Sequence, residues 1–255
     1  MDSGLQIYNA DGVLQLDTNA PILCLRYKYV FTKATYKNPY YVLDFKAHRP
    51  IVAFYAAVTP AVPAEYRAFI YSFYLKDNGD GTWRCAFTTS APYDGFEINV
   101  YIFDLASAID TPVNNYGLQV FDANEKLIYH TDYNPLRMVY FSKPGDSTYT
   151  NPYTGPGGIN GWASQNDLHP EWFVTPPPNA TGIKCAVVYT TGRFGYQDDG
   201  GDQEDIDEVL VLRDDQTSLS YQYSGGPGGA SGGGVGTYLH FIYPPYLWFV
   251  DVSNY

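Results

Sequence analysis

Cysteine is scarce in this chain. Three occur, Cys24, Cys85 and Cys185, and no two of them form a CxxC pair. An odd count without that spacing gives neither a disulfide framework nor a zinc signature. Each sits in an apolar run such as Ile22-Leu23-Cys24-Leu25, which reads as a buried, reduced thiol. Basic residues are also few: 15 Lys and Arg stand against 27 Asp and Glu, for a net charge of −12. Nucleic acid and anionic membrane surfaces would repel such a chain, so neither is expected as a partner. No apolar run approaches the ~20 residues of a membrane span, which argues against membrane insertion. The opening Met1-Asp2-Ser3-Gly4 has neither the basic nor the apolar region of a secretory signal, so synthesis and folding in a cytoplasm are expected. Helical periodicity is missing too, apart from a single turn's worth at Leu105 to Ile109.

Signatures of catalysis are equally thin. There is no GxxxxGK[ST] phosphate loop and no GxGxxG. Gly229-Ala230-Ser231-Gly232-Gly233 has the letters of a nucleophile elbow, but that motif needs a strand before it and a helix after it. Here the flanking residues are more glycine and then strands, so Ser231 is not read as a nucleophile. The four histidines, His48, His130, His169 and His240, have no partner at metal-ligand spacing. Glycoside hydrolysis needs two carboxylates at a separation set by the fold, and the sequence singles out no pair. No enzyme is expected, and no organic cofactor. One acidic run stands out: residues 198–208 carry seven carboxylates in eleven positions. Like charges that close repel unless a cation sits among them. Ca²⁺, which takes six to eight oxygens in flexible geometry, suits such a run, with Asp198, Asp199, Asp202 and Glu204 as candidate ligands. The EF-hand spacing is absent; the alternative reading is a solvated loop.

What the chain has in abundance is tyrosine, 26 of 255 residues. Tyrosine favours strands and provides amphipathic contact area at little entropic cost. The strand pattern agrees. Ile22–Phe31, Tyr40–Lys46, Ile51–Val58, Tyr66–Leu75, Thr82–Thr88 and Phe96–Phe103 follow one another as short strand-like runs. Asp77-Asn78-Gly79-Asp80-Gly81 is a tight turn between two of them. In the last run Phe96, Ile98, Val100 and Ile102 fall on one face and Glu97, Asn99 and Tyr101 on the other. The fold class expected is all-β, sandwich-like.

One phrase occurs twice. Gly4 to Thr18 reads GLQIYNADGVLQLDT and Gly117 to Thr131 reads GLQVFDANEKLIYHT, identical at six of fifteen positions and 113 residues apart. Each reads as a β-hairpin; where the first has Gly12 the second has Asn124-Glu125, and Asn is the better of the two in left-handed geometry. Shorter echoes follow in the same order. Gly81-Thr82-Trp83 is answered by Gly236-Thr237-Tyr238, and Ile102-Phe103-Asp104-Leu105 by Phe249-Val250-Asp251-Val252. The expectation is an internal duplication: two tandem β-sandwich-like domains, 1–113 and 114–255, with the same strand order and with Leu5 equivalent to Leu118.

The second copy carries three excursions. Residues 142–182 are rich in Pro and Gly, 192–205 are acidic, and 224–236 are a glycine tract flanked by Ser218–Tyr223 and Thr237–Tyr243. Loops vary without disturbing a core, so binding is expected there: at Tyr153, Trp162 and Trp172, and at the tip around Gly226, Gly229 and Gly233.

The repeated phrase Gly-Leu-Gln-(Ile/Val)-aromatic-(Asn/Asp)-Ala-(Asp/Asn), followed by Leu and Thr, resembles the opening of minor tail proteins of long-tailed, non-contractile bacteriophages. The resemblance covers residues 4–18 and 117–131; Glu125 in place of a Gly, and the duplication itself, depart from it. It implies a structural virion component at the tail tip or fibre, made in the host cytoplasm. Such a component joins an oligomeric assembly, binds other tail proteins, and contacts a glycan or protein receptor on the host surface. It implies no active-site residues. A carbohydrate-binding or adhesin module of a bacterial surface protein is the alternative.

Overall fold

The computed structural model describes residues 6–8, 14–17, 22–32, 40–58, 68–90, 96–109, 116–122, 124–142, 149–150, 162–163, 172–174, 182–189, 194–198, 203–213, 216–223, 237–241 and 247–255. The protein is all-β. The first half contributes β1 (Gln6–Tyr8), β2 (Leu14–Asp17), β3 (Leu23–Thr32), β4 (Tyr40–Lys46), β5 (Ile51–Val58), β6 (Ala68–Asp77), β7 (Thr82–Ser90) and β8 (Phe96–Leu105). The second contributes β9 (Gln119–Phe121), β10 (Leu127–His130), β11 (Met138–Ser142), β12 (Tyr149–Thr150), β13 (Trp162–Ala163), β14 (Trp172–Val174) and β15 (Cys185–Val188). It continues with β16 (Phe194–Asp198), β17 (Gln203–Arg213), β18 (Gln216–Tyr223), β19 (Thr237–Phe241) and β20 (Leu247–Asp251). A single 3-10 turn, Ala106–Ala108, follows β8, where the sequence left room for one turn.

The halves are tandem in sequence and interlocked in space. A six-stranded sheet runs β11-β20-β15-β5-β8-β3, three strands from each half, joined by antiparallel pairing of β15 with β5. A second, forked sheet runs β12-β14-β18-β17-β16-β19-β13, and a branch β6-β7-β4 leaves it at β17. β17 is long enough to serve two neighbours on one edge. Its start pairs with β16, and Leu210, Val211 and Leu212 pair with Ile70, Phe69 and Ala68 of β6.

The two halves use matching ladders. In the first hairpin Gln6 pairs with Asp17, Ile7 with Leu16 and Tyr8 with Leu14, with a bulge after the second pair. In the second, Gln119 pairs with His130, Val120 with Tyr129 and Phe121 with Leu127, with the bulge at the same place. All six residues are shifted by the 113 positions that separate the repeated phrases. The next ladder repeats too. Leu25–Phe103 and Tyr27–Ile102 flank a bulge at Arg26, and Met138–Val250 and Tyr140–Phe249 flank one at Val139. A bulge is a specific feature of a ladder, so its recurrence is a stronger correspondence than strand order alone. Tyr101 pairs with Ala53 and the corresponding Trp248 with Val188, and Ala53 and Val188 pair with each other. Ala53 and Val188 thus face each other at the middle of the six-stranded sheet, each flanked by its own ladder.

Local chemistry explains the repeated residues. Gly117 has φ of 113°, and a Cβ there would overlap Thr131 Oγ1, so the Gly and Thr that bound the phrase are in contact. The second hairpin corrects one expectation. Its left-handed residue is Glu125, at φ 62°, and not Asn124. Asn124 is instead held by its own N–H, which donates to Asp122 Oδ1 at 2.8 Å, and Lys126 N donates to the same oxygen at 2.9 Å. That double acceptor fixes the turn around Glu125.

A single large core lies between the two sheets. Phe54, Phe87, Phe96, Ile98, Ile102, Leu210 and Phe249 are among its fully buried side chains, drawn from both halves. Each contributes about 1.5–3 kcal/mol of hydrophobic stabilisation. Phe54 meets Phe73 and Phe87 edge-on, with ring centroids 5.4 and 5.2 Å apart. The outer face of the six-stranded sheet is covered as well. Ala53, Phe103, Val188 and Val250 are buried there, and the Tyr255 ring stands 5.8 Å from that of Phe103. The alternation of β8 thus separates two buried faces, and even Asn99 and Tyr101 are nearly inaccessible.

Candidate functional site

Among the described residues a cleft of about 520 Å³, within the range of small-ligand sites, lies beside β3 and β4, each the last described strand of its sheet or branch. β3 supplies Tyr27 and Tyr29, β4 supplies Asp44, Phe45 and Lys46, and the β6–β7 turn and β7 supply Asn78, Thr82 and Arg84. The alternation of β4 puts Tyr41, Leu43 and Phe45 toward the core, and Tyr40, Val42, Asp44 and Lys46 toward solvent. The cleft therefore wraps round a sheet edge, with an aromatic inner wall and a charged outer lip.

The wall is ordered. The Tyr27 and Tyr29 rings are 6.2 Å apart and inclined by 31°, with Phe45 behind Tyr27 at 5.9 Å. Tyr27 Oη accepts from Arg26 Nε at 3.2 Å and donates to the Lys46 carbonyl at 3.3 Å, which fixes the ring. Burial pushes the Tyr29 phenol up, so it stays neutral and hydrogen-bond competent at ordinary pH. The lip is ordered too. Arg84 Nε and Nη2 each donate at 2.8 Å to the two oxygens of Asp44, a bidentate pair across the β4–β7 ladder. The bonds from Arg84 hold the Asp44 carboxyl below its ordinary range and push the guanidinium up.

The tip is a rigid turn. Gly79 and Gly81 take φ of 81° and 83°, which the turn requires. Gly79 N donates to Asp77 Oδ1, Thr82 N and Oγ1 donate to Asp80 Oδ1, and Asn78 Nδ2 donates to Thr82 Oγ1. Asp80 is held below its usual range, chiefly by the Thr82 hydroxyl. Along the same outer face Tyr40, Val42 and Tyr74 are exposed, with the Tyr40 and Tyr74 hydroxyls 3.3 Å apart.

The residues singled out from sequence lie in the second half. Trp162 is on β13, opposite Tyr238, and Trp172 is on β14, opposite Leu219. Four strands separate β13 from β14, so at about 4.8 Å per strand these backbones are some ~24 Å apart in the sheet. Asp198 ends β16 opposite Gln203, and Glu204 pairs with Gln197. The side chains of these four residues, and Tyr153, Gly226, Gly229, Gly233, Asp199, Asp202 and Ser231 altogether, lie outside the described residues. Among the described residues no group of three or more His, Cys, Asp or Glu could hold a metal ion. The strands on either side of the glycine tract, expected as the two arms of one hairpin, take different partners. β19 takes β16 and β13 as partners, while β18 pairs with β17 and β14. The tight turn of the first half thus corresponds to everything between Asp198 and Thr237, including the β17–β18 hairpin.

Sequence reading passed over the cleft because its residues are spread over four elements and each looks like ordinary strand alternation. The Asp77–Gly81 turn was the one local signal pointing to it. No family model matches the chain, and no curated protein or solved structure matches it either.

Proposed function

We propose that this chain arose by duplication of one all-β unit and serves as a non-catalytic structural component of a tailed-phage virion, at the tail tip or fibre. It acts there by binding neighbouring tail proteins, and it contributes to attachment at the host surface. The observation that carries the reading is the twice-used Gly-Leu-Gln hairpin phrase, the part that resembles phage minor tail proteins, with the same ladder and bulge each time. The low basic content and the exposed Tyr40, Val42 and Tyr74 fit a protein that works by surface contact. The test is direct: gold-labelled antibody to this chain, imaged on purified particles, should decorate one tail end. Particles that lack the protein altogether would reject the reading. A second reading, a carbohydrate-binding module of a cell-surface protein, draws support from the tyrosine-walled cleft; it predicts glycan binding without incorporation into particles.

A further inference from the structure

The matching ladders supply an internal control for the cleft. Phe45 and Lys46 of β4 pair with Trp83 and Thr82, and Trp162 and Ala163 of β13 pair with Tyr238 and Thr237. Lys46 therefore corresponds to Ala163, and Arg84, two residues after Thr82, to Leu239. In sequence, Gly161 precedes Trp162 where Asp44 precedes Phe45. The second half builds the same strands with an aromatic residue at the Phe45 and Tyr27 positions, the latter being Tyr140, yet has none of the three charges. The backbone does not need Asp44, Lys46 or Arg84. Their presence in one half alone points to a ligand.

We propose that the cleft binds a carboxylate-bearing sugar, a uronate or sialate unit of a glycan, with Tyr27 and Tyr29 against its ring face and Lys46 and Arg84 on its carboxylate. Of the charged residues that line the cleft, Lys46 and Arg84 are cations and Asp44 is a carboxylate, on a chain whose total is −12, while the turn carboxylates Asp77 and Asp80 are engaged by Gly79 N and by Thr82. The two lining cations are the groups that would receive an anionic substituent. The Asp44 bonds occupy Arg84 Nε and Nη2 and leave Nη1 free to donate, and the Lys46 ammonium makes no hydrogen bond or ion pair among the described residues. A bare phosphate would gain nothing from the tyrosine wall. A sugar uses the wall and the polar groups together: its C–H face packs on aromatic rings, Asp44 accepts from its hydroxyls, and Asn78 and Thr82 accept from or donate to them. The inference stands whether or not the chain belongs to a virion.

The test is saturation-transfer NMR on the full chain with trigalacturonate and 3′-sialyllactose as acidic probes, lactose as the neutral control and inorganic phosphate as competitor. At least one acidic probe should bind, lactose at least about ten-fold more weakly, and added salt should weaken the acidic probe most. Lys46→Ala and Arg84→Leu, which copy the residues of the second half, should each weaken the acidic probe about ten-fold or more, with unchanged far-ultraviolet circular dichroism. Lys46 is an exposed strand end, so its variant decides the matter if Arg84→Leu is poorly folded. Absence of binding by both acidic probes would overturn the proposal. So would equal binding of lactose, unchanged affinity in the variants, or full displacement by equimolar phosphate. Particle imaging tests the virion assignment separately, so failure of one leaves the other standing.

Discussion

Asp104 and Asp251 occupy corresponding places at the ends of β8 and β20, and the structure predicts very different costs for removing them. The Asp104 side chain is fully buried. It accepts from Arg26 Nη1 at 2.8 Å, His48 N at 2.9 Å, Arg49 N at 2.8 Å and Leu105 N at 2.9 Å. Asp104→Ala would strand a guanidinium that is only 9% exposed and three backbone donors. Arg26 keeps its bonds to Ala108 O and Tyr27 Oη, so the loss falls short of a bare buried charge. Breaking a buried pair of this kind costs about 3–5 kcal/mol, a large part of a typical net stability of about 5–15 kcal/mol. Asp251 is 16% exposed, faces Arg137 at 3.7 Å with that side chain 53% exposed, and accepts from Ser253 N at 2.9 Å. Solvent screens the ion pair almost wholly, leaving about 1 kcal/mol for Asp251→Ala.

The assay is urea unfolding followed by tryptophan fluorescence and circular dichroism. Because both sheets take strands from both halves, one cooperative transition is expected in each variant. Arg26→Met should fall between the two aspartate variants, since three backbone donors still solvate the Asp104 carboxylate. If Asp104→Ala and Asp251→Ala lie within about 1 kcal/mol of each other, burial and hydrogen-bond count are not what sets the cost, and the reasoning fails.

Glu125→Gly should stabilise the chain by up to about 1 kcal/mol by relieving a left-handed side-chain clash, read as a higher urea midpoint. Gly117→Ala should destabilise the chain by more than about 1 kcal/mol, read as a lower urea midpoint, because φ of 113° and contact with Thr131 leave no room for a Cβ. Burial pushes the Cys24 and Cys85 thiols up to about 12, so both should resist a thiol reagent at pH 8 in the folded chain and react on unfolding. Asp122 is held below its ordinary 3.8, first by Lys126 N and then by Asn124 N, so its contribution is complete above 3.8 and lost as pH falls through the lowered value. The Lys126 and Asn124 amide shifts should therefore titrate with a midpoint below 3.8, and a midpoint at or above it would contradict the turn geometry.

Much of the first half was legible because its strands are bounded by strong punctuation. β4 and β5 begin and end where apolar alternation and flanking residues place them, and the Asp77–Gly81 turn announces the β6–β7 hairpin. β16 was not legible. Phe-Gly-Tyr-Gln-Asp carries no clean alternation, and its place is set by two long-range ladders. The joining of the halves was hidden for the same reason. β5 and β15 read locally as short apolar strands, and nothing in either run says that the other is its neighbour. The cleft was hidden by dispersal: Tyr27 and Arg84 are far apart in sequence and line one cleft only because β3 lies near the β4–β7 ladder of the other sheet.

The position of the second-half insertion accounts for how the two halves hold together. At its middle the six-stranded sheet joins β5 to β15 directly. The second sheet has no such joint of its own. In the first half β6 turns straight into β7; in the second, the chain leaves β16 at Asp198 and does not reach β19 until Thr237. The strand it builds in between, β17, pairs with β16 of its own half and with β6 of the other. The insertion is thus the splice that closes the second sheet, with Leu210 and Leu212 buried in the common core. Excess length at this hairpin therefore carries a structural task, while among the described residues β3 and β4 end their sheets beside the charged lip. The splice and the cleft are two consequences of one asymmetry: the halves share ladders, and only one keeps the tight turn that orders Asn78 and Thr82 beside Arg84.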